Sequence, residues 1–175
     1  LLEQKNIDVN AQKKYSFTGE FCHITTSLKT PLFLAVEKDS PIMVQYLLNR
    51  KDIQINEKSI FTRKGCTKYI EFVVNYEGDK DALPAENEDF REEKTVLQMA
   101  IEKRNAKIVG LLLSEPEINV NEIITSKNII SDLQTGYKTH DNTSTTALHI
   151  AVINRNLEII KLLLNHKKIN VNVVD

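Results

Sequence analysis

Apolar residues recur along this chain with two different periods, and the switch between them divides it into segments. In Thr146-Ala147-Leu148-His149-Ile150-Ala151-Val152 the apolar positions 148, 151 and 152 keep the i, i+3, i+4 spacing of a helix. After a polar break at Asn154-Arg155-Asn156, Ile159, Ile160, Leu163 and Leu164 share one broad helical face. The same skeleton runs through Thr30 to Val36 with Ile42 to Leu48, and through Thr95 to Ile101 with Ile108 to Leu113. Each stretch predicts a helix–turn–helix. Helices of only about two or three turns are marginal alone in water, so neighbouring pairs must hold them. Ala35, Ala100 and Ala151 fit positions where adjacent pairs approach closely.

Every pair ends alike. Leu1 to Asn10, Leu47 to Asn56, Leu112 to Asn121 and Leu163 to Asn172 each read Leu-Leu, a polar turn, then Ile-x-Ile/Val-Asn. Internal repetition of this kind predicts a stacked array. The chain opens inside such an ending and not with Met, which suggests an excerpt of a longer protein. Residues 1–10 then close a truncated preceding repeat, and repeats follow at 30–56, 95–121 and 146–175.

Between them lie insertions at 11–29, 57–94 and 122–145, where the helical period gives way to alternation. Nine of the eleven aromatic residues fall there. That composition opposes flexible linkers, which are poor in aromatic and β-branched residues. Thr67 to Val74 alternates with Ile70, Phe72 and Val74 on one side, and Ser59 to Thr62 can pair with it across a turn at Arg63-Lys64-Gly65-Cys66. Tyr15 to Phe17 can pair with Phe21 to Ile24, and Ile129 to Leu133 with Tyr137 to Thr139. The fold class is therefore mainly α, a repeat solenoid, with elongated β-hairpin insertions between repeats. Hairpins alone are marginal, so the plainer reading of their aromatics is packing on one another that seals neighbouring fingers into a small sheet. Residues 77–93, with eight acidic and two basic side chains, read as a solvated loop.

The repeats resemble the ankyrin family. Thr146-Ala147-Leu148-His149-Ile150-Ala151 is close to its Thr-Pro-Leu-His-φ-Ala (φ, apolar), as are Lys161-Leu162-Leu163-Leu164 followed by Val171-Asn172, and Thr30-Pro31-Leu32 places Pro at a first helical turn. There are departures. The family's glycine between the two helices is replaced by Asp39, Arg104 and Arg155; a left-handed non-glycine residue costs roughly 1 kcal/mol, so these turns are either strained or differently shaped. Phe33 and Gln98 replace the histidine kept at His149, which predicts an incomplete hydrogen-bond network there. Successive closing asparagines lie 46, 65 and 51 residues apart, against a family period of about 33.

Composition removes several functions. The formal charge of −1 points to neither nucleic acid nor an acidic membrane, and Lys13-Lys14 and Arg63-Lys64 are too sparse for a nucleic-acid track. No apolar run approaches the roughly 20 residues of a membrane span. Cys22 and Cys66 form neither a disulfide framework nor a CxxC pair, which suggests an intracellular, cytoplasmic setting. No nucleophile elbow, phosphate loop, HExxH or zinc spacing occurs. Cys22, His23, Cys66 and His140 sit on three separate insertions, so no metal site and no cofactor is expected.

The resemblance implies a non-enzymatic protein-interaction module, part of a longer array, binding another protein through its fingers and a concave first-helix face. The matching positions are Glu37, Lys38, Glu102, Lys103, Ile153 and Asn154, with Lys29, Lys94 and Thr145 just before each Thr motif. Phe61, Tyr69, Phe72 and Tyr137 are the finger candidates. Uncapped repeat ends also suggest self-association. Two other readings stand beside this one: an architectural segment whose fingers only cement neighbouring repeats, and the substrate-selecting region of a larger enzyme.

Overall fold

The computed structural model of the protein describes residues 8–19, 22–64, 90–131 and 138–173. Three short helix pairs stand in a row. They are α1 (Pro31–Glu37) with α2 (Pro41–Leu48), α3 (Val96–Glu102) with α4 (Ala106–Leu113), and α5 (Ala147–Ile153) with α6 (Leu157–Leu164). Helix α1 packs on α3 and α3 on α5, while α2 packs on α4 and α4 on α6. The core is the seam between pairs: Val36, Val44, Leu97, Ala100, Ile101, Ile108, Leu112, Ile159 and Leu163 are buried. No helix among the described residues has the dozen or so residues that would make it stable alone. Burial of these aliphatic side chains holds them.

Side-chain caps start each helix. Thr30, Thr95 and Thr146 accept from the backbone N–H groups of Phe33, Gln98 and His149. Ser40, Asn105 and Asn156 do the same for α2, α4 and α6. The expectation of an incomplete network changes here. Gln98 returns the bond, its Oε1 accepting from Thr95 N–H at 2.9 Å, and His149 Nδ1 accepts from Thr146 N–H at 3.3 Å. An amide oxygen at this place does what an imidazole nitrogen does. Phe33 has no group to return, and its buried ring packs instead on Phe61, with centroids 5.8 Å apart.

The turns inside the pairs are left-handed. Asp39, Arg104 and Arg155 have φ of 55°, 58° and 53°. Each N–H bonds back to a carbonyl of the helix just ended, as in Arg104 to Ile101 at 2.9 Å, and the next residue bonds one position further back, as in Asn105 to Ala100 at 3.2 Å. This pattern satisfies carbonyls that would otherwise be orphaned at a helix end. Of the two outcomes expected for a non-glycine turn, strain in the usual shape is the one found.

The remaining described segments form one six-stranded antiparallel sheet in chain order. Its strands are β1 (Lys13–Gly19), β2 (Cys22–Lys29), β3 (Ser59–Lys64), β4 (Phe90–Lys94), β5 (Ile124–Ser131) and β6 (Lys138–Thr145). One pairing differs from expectation. Over Ile60 to Arg63, β3 is bonded on one edge by β2 and on the other by β4, so no edge there is left for Thr67 to Val74. That segment lies outside the described residues. β4 also takes Phe90 to Glu93 out of the acidic stretch read as a solvated loop. The strand pairs all four residues with β3 and Arg91 and Glu92 with β5 as well, and Arg91 and Lys58 stand against Glu93.

Candidate functional site

Strand register decides which side chains meet the helices. Residues facing one another across the strands share a sheet face. Tracing the pairs 13↔29, 15↔27, 27↔61, 61↔92 and 59↔94 puts Lys13, Tyr15, Lys29, Phe61, Glu92 and Lys94 on one face. The trace 92↔126, 126↔143 and 124↔145 carries that face on to Thr145. This face meets the first helices of the first two pairs, α1 through Lys29 and Phe61 and α3 through Lys94.

The junction is built twice in the same way. Lys29, at the end of β2, reaches Glu37 at the end of α1, Nζ to Oε1 at 2.6 Å. Lys94, at the end of β4, reaches Glu102 at the end of α3 at 2.9 Å, and Glu92 beside it at 3.1 Å. The capped turn at Thr30 or Thr95 folds the chain back so that partners eight residues apart meet. At the third pair the equivalent residues are Thr145 and Ile153, and no ion pair is possible.

Phe61 sits between the two ion pairs. Lys29 Nζ lies 5.3 Å from its ring centroid and Lys94 Nζ 5.8 Å. Lys29 also lies 5.6 Å from the Tyr15 ring, and Lys13 lies 5.3 Å from the same ring. The result is a run of alternating cations and aromatic faces, each contact worth about 0.5–1 kcal/mol where exposed. Burial pulls the Lys94 ammonium toward the neutral form. The hydrogen bond and charge of Glu102, with those of Glu92, outweigh that pull and hold its pKa above the usual lysine value. Lys58 is likewise raised, first by its hydrogen bond to Glu122 and then by Glu93.

The expected site residues therefore divide into two sets. Lys29, Glu37, Lys94 and Glu102 neutralise one another, and Phe61 is half-buried beneath them. Lys38, Lys103 and Ile153 are exposed, and the ammonium groups of Lys38 and Lys103 have no ion-pair or hydrogen-bond partner among the described residues. Thr145 and Asn154 are half-buried on the same side. Tyr69, Phe72 and Tyr137 lie outside the described residues, and so does Cys66. Sequence reasoning missed Lys13, Tyr15 and Glu92. The period-two alternation of β1 carried the signal for the first two, once Lys29 had been picked out as its cross-strand partner.

Among the described residues no group of three or more His, Cys, Asp or Glu could hold a metal ion, and no helix is long and apolar enough to cross a membrane. The ankyrin repeat family model matches residues 27–59 and 144–175. These matches bracket the pair at 95–121, which shares the Thr-x-Leu-x-φ-Ala start and the Ile-x-Val-Asn ending. No curated protein matches the chain. Repeats of this family are generally protein–protein interaction modules and typically non-enzymatic.

Proposed function

From a chain that carries ankyrin repeats at 27–59 and 144–175, we infer a non-enzymatic module of a longer array that binds another protein where its inserted hairpins meet the first helix of each pair. One observation carries this reading: the fold leaves Lys38, Lys103 and Ile153 unused and exposed along one side. Ile153 is the telling member. It is 71 % exposed at the position where the other two pairs place the ion-paired Glu37 and Glu102. A partner would meet two cations and then an aliphatic anchor, a graded surface that suits a protein segment with carboxylates toward one end and an apolar residue toward the other.

A second reading has its own support. Phe61 packs on Phe33 under the two lysines, and Lys58 bridges Glu93 and Glu122, so the inserted strands also cement one helix pair to the next. The test separates the two. Proteins captured by the intact chain are compared with those captured by a Lys38→Glu/Lys103→Glu/Ile153→Asp variant of equal helicity. Loss of the captured set supports a binding face. An unchanged set leaves the cement reading standing alone.

A further inference from the structure

The second helices of the first two pairs enclose a groove that the inner surface does not use. A cavity of about 320 Å³ lies between α2 and α4, lined by Pro41, Ile42, Gln45 and Tyr46 on one side and Lys107 and Leu111 on the other. Ile42 beside it is 69 % exposed. The ends of the chain do not create that exposure. Aligned on the caps Ser40 and Asn105, Ile42 and Lys107 hold one position, and Lys107 is exposed in the pair with neighbours on both sides. A single exposed aliphatic residue is ordinary. Charge and a glycine set this groove apart.

From Ser40 to Leu48 and from Arg104 to Leu113 the two walls carry Arg104 and Lys107 and no carboxylate, in a chain whose net charge is −1. Both cations are exposed, and the Lys107 ammonium has no ion-pair or hydrogen-bond partner among the described residues. The acids just outside these stretches are engaged: Asp39 accepts from Asn105 Nδ2 at 2.7 Å, and Glu102 from Lys94 Nζ at 2.9 Å. In α6 the residue aligned with Lys107 is Glu158, so the third pair reverses the charge.

Gly110 lies on α4 between Lys107 and Leu111, inside a helix of eight residues. Glycine there costs stability relative to alanine. A Cβ at Gly110 would meet nothing within 4 Å, so no packing within the protein demands its absence. The aligned residues in α2 and α6 are Gln45 and Lys161. Bare backbone on an outward ridge lets another element come close.

We propose that α2 and α4 form a docking groove for a short amphipathic helix of a partner protein. That helix sets carboxylates against Arg104 and Lys107, places an aliphatic side chain between Ile42 and Leu111, and crosses α4 over Gly110. The cavity stands at the bottom of the roughly 300–1,000 Å³ range of small-molecule sites and is open rather than enclosed, which suits inserted side chains better than a whole ligand. The groove uses none of Lys38, Lys103 and Ile153, so it stands or falls apart from the surface proposed above.

The test selects displayed peptides of about 15 residues, long enough to hold a helix, on the intact chain and measures the recovered peptides in solution. The selection is expected to return acidic residues at one end and aliphatic residues at i, i+3 or i+4, with binding that weakens as salt is raised. Lys107→Glu, Ile42→Asp and Gly110→Leu should each weaken that binding about tenfold or more. The Lys38→Glu/Lys103→Glu/Ile153→Asp variant should keep it. Gly110→Ala separates binding from folding: its methyl group enters open space, so the thermal midpoint should rise by roughly 2–4 °C while peptide affinity falls. A selection that returns no acidic helical motif overturns the idea. So does a folded Gly110→Leu protein that binds as tightly as the parent, or peptides that ignore Lys107→Glu and are lost from the triple variant. Lys107-dependent binding to phosphatidylserine vesicles in place of peptides would assign the groove to a lipid surface and overturn it as well.

Discussion

Asn56 joins two helix pairs to each other by holding the backbone of Asn119: its Oδ1 accepts from Asn119 N–H at 2.8 Å while its Nδ2 donates to Glu117 O at 2.6 Å. Only a side chain with a donor and an acceptor on one carbon can close both bonds. Asn56→Ala should destabilise the protein by about 1–2 kcal/mol, two modest hydrogen bonds at a partly wet site. Asn56→Asp should lose nearly as much near neutral pH, since a carboxylate sets an acceptor against Glu117 O. Urea unfolding at pH 7 checks both. An aspartate variant as stable as the parent would show that the donated bond contributes nothing.

The strained turns give a prediction of opposite sign. Arg104 and Arg155 hold φ near +55° with long side chains and no compensating ion pair among the described residues. Arg104→Gly and Arg155→Gly should each stabilise by about 0.5–1 kcal/mol, the left-handed penalty less the extra entropy glycine loses on folding. Asp39→Gly should gain less or lose. Aspartate tolerates this conformation better, and Asp39 Oδ1 accepts from Asn105 Nδ2 at 2.7 Å, tying one turn to the next. Thermal midpoints of the three single variants test the ranking.

The helices were legible because their signals are local. Spacing of i, i+3, i+4 marks an apolar stripe, and Thr30, Thr95 and Thr146 announce where it starts. Strand partners were not legible in the same way. Alternation in Ser59 to Thr62 shows that a strand exists but does not say which segment lies beside it. β4 was hidden altogether: Phe90-Arg91-Glu92-Glu93-Lys94 has weak β propensity and becomes a strand because β3 and β5 bond both its edges. At the site, Lys29 and Lys94 were found but their pairing was not. The clue was in the sequence, since Lys29/Glu37 and Lys94/Glu102 keep the same spacing of eight.

Phe61 is where binding and cement readings part. Its ring touches Phe33 and lies near two ammonium groups, so truncation removes both packing and the cation–aromatic contacts. Phe61→Ala should cost about 2–3 kcal/mol, below the range for a fully buried ring because Phe61 is only half-buried. Phe61→Leu keeps much of the apolar area and should cost about 1 kcal/mol. A loss under about 0.5 kcal/mol for the alanine variant would remove the cement reading.

The ion pairs set the pH limits of stability. Lys94 has its pKa raised above the ordinary 10.5 in the folded protein, because Glu102 and Glu92 together outweigh burial. A raised folded pKa means that its contribution is complete below the unfolded value and is lost as pH climbs through the folded one. Glu93 goes the other way. The hydrogen bond from Arg91, helped by Lys58 and opposed by burial, lowers its pKa below the ordinary 4.5. Its contribution is complete above that value and disappears as pH falls through the folded pKa. Urea midpoints should therefore form a plateau between about pH 4.5 and 10.5, falling at both ends. Lys94→Met should flatten the alkaline fall and leave the acid one in place. Arg91→Gln should do the reverse, shifting the acid fall of Glu93 toward higher pH while the alkaline limb stays put. An acid limb that Arg91→Gln does not move would mean that Glu93 draws nothing from its neighbour on β4.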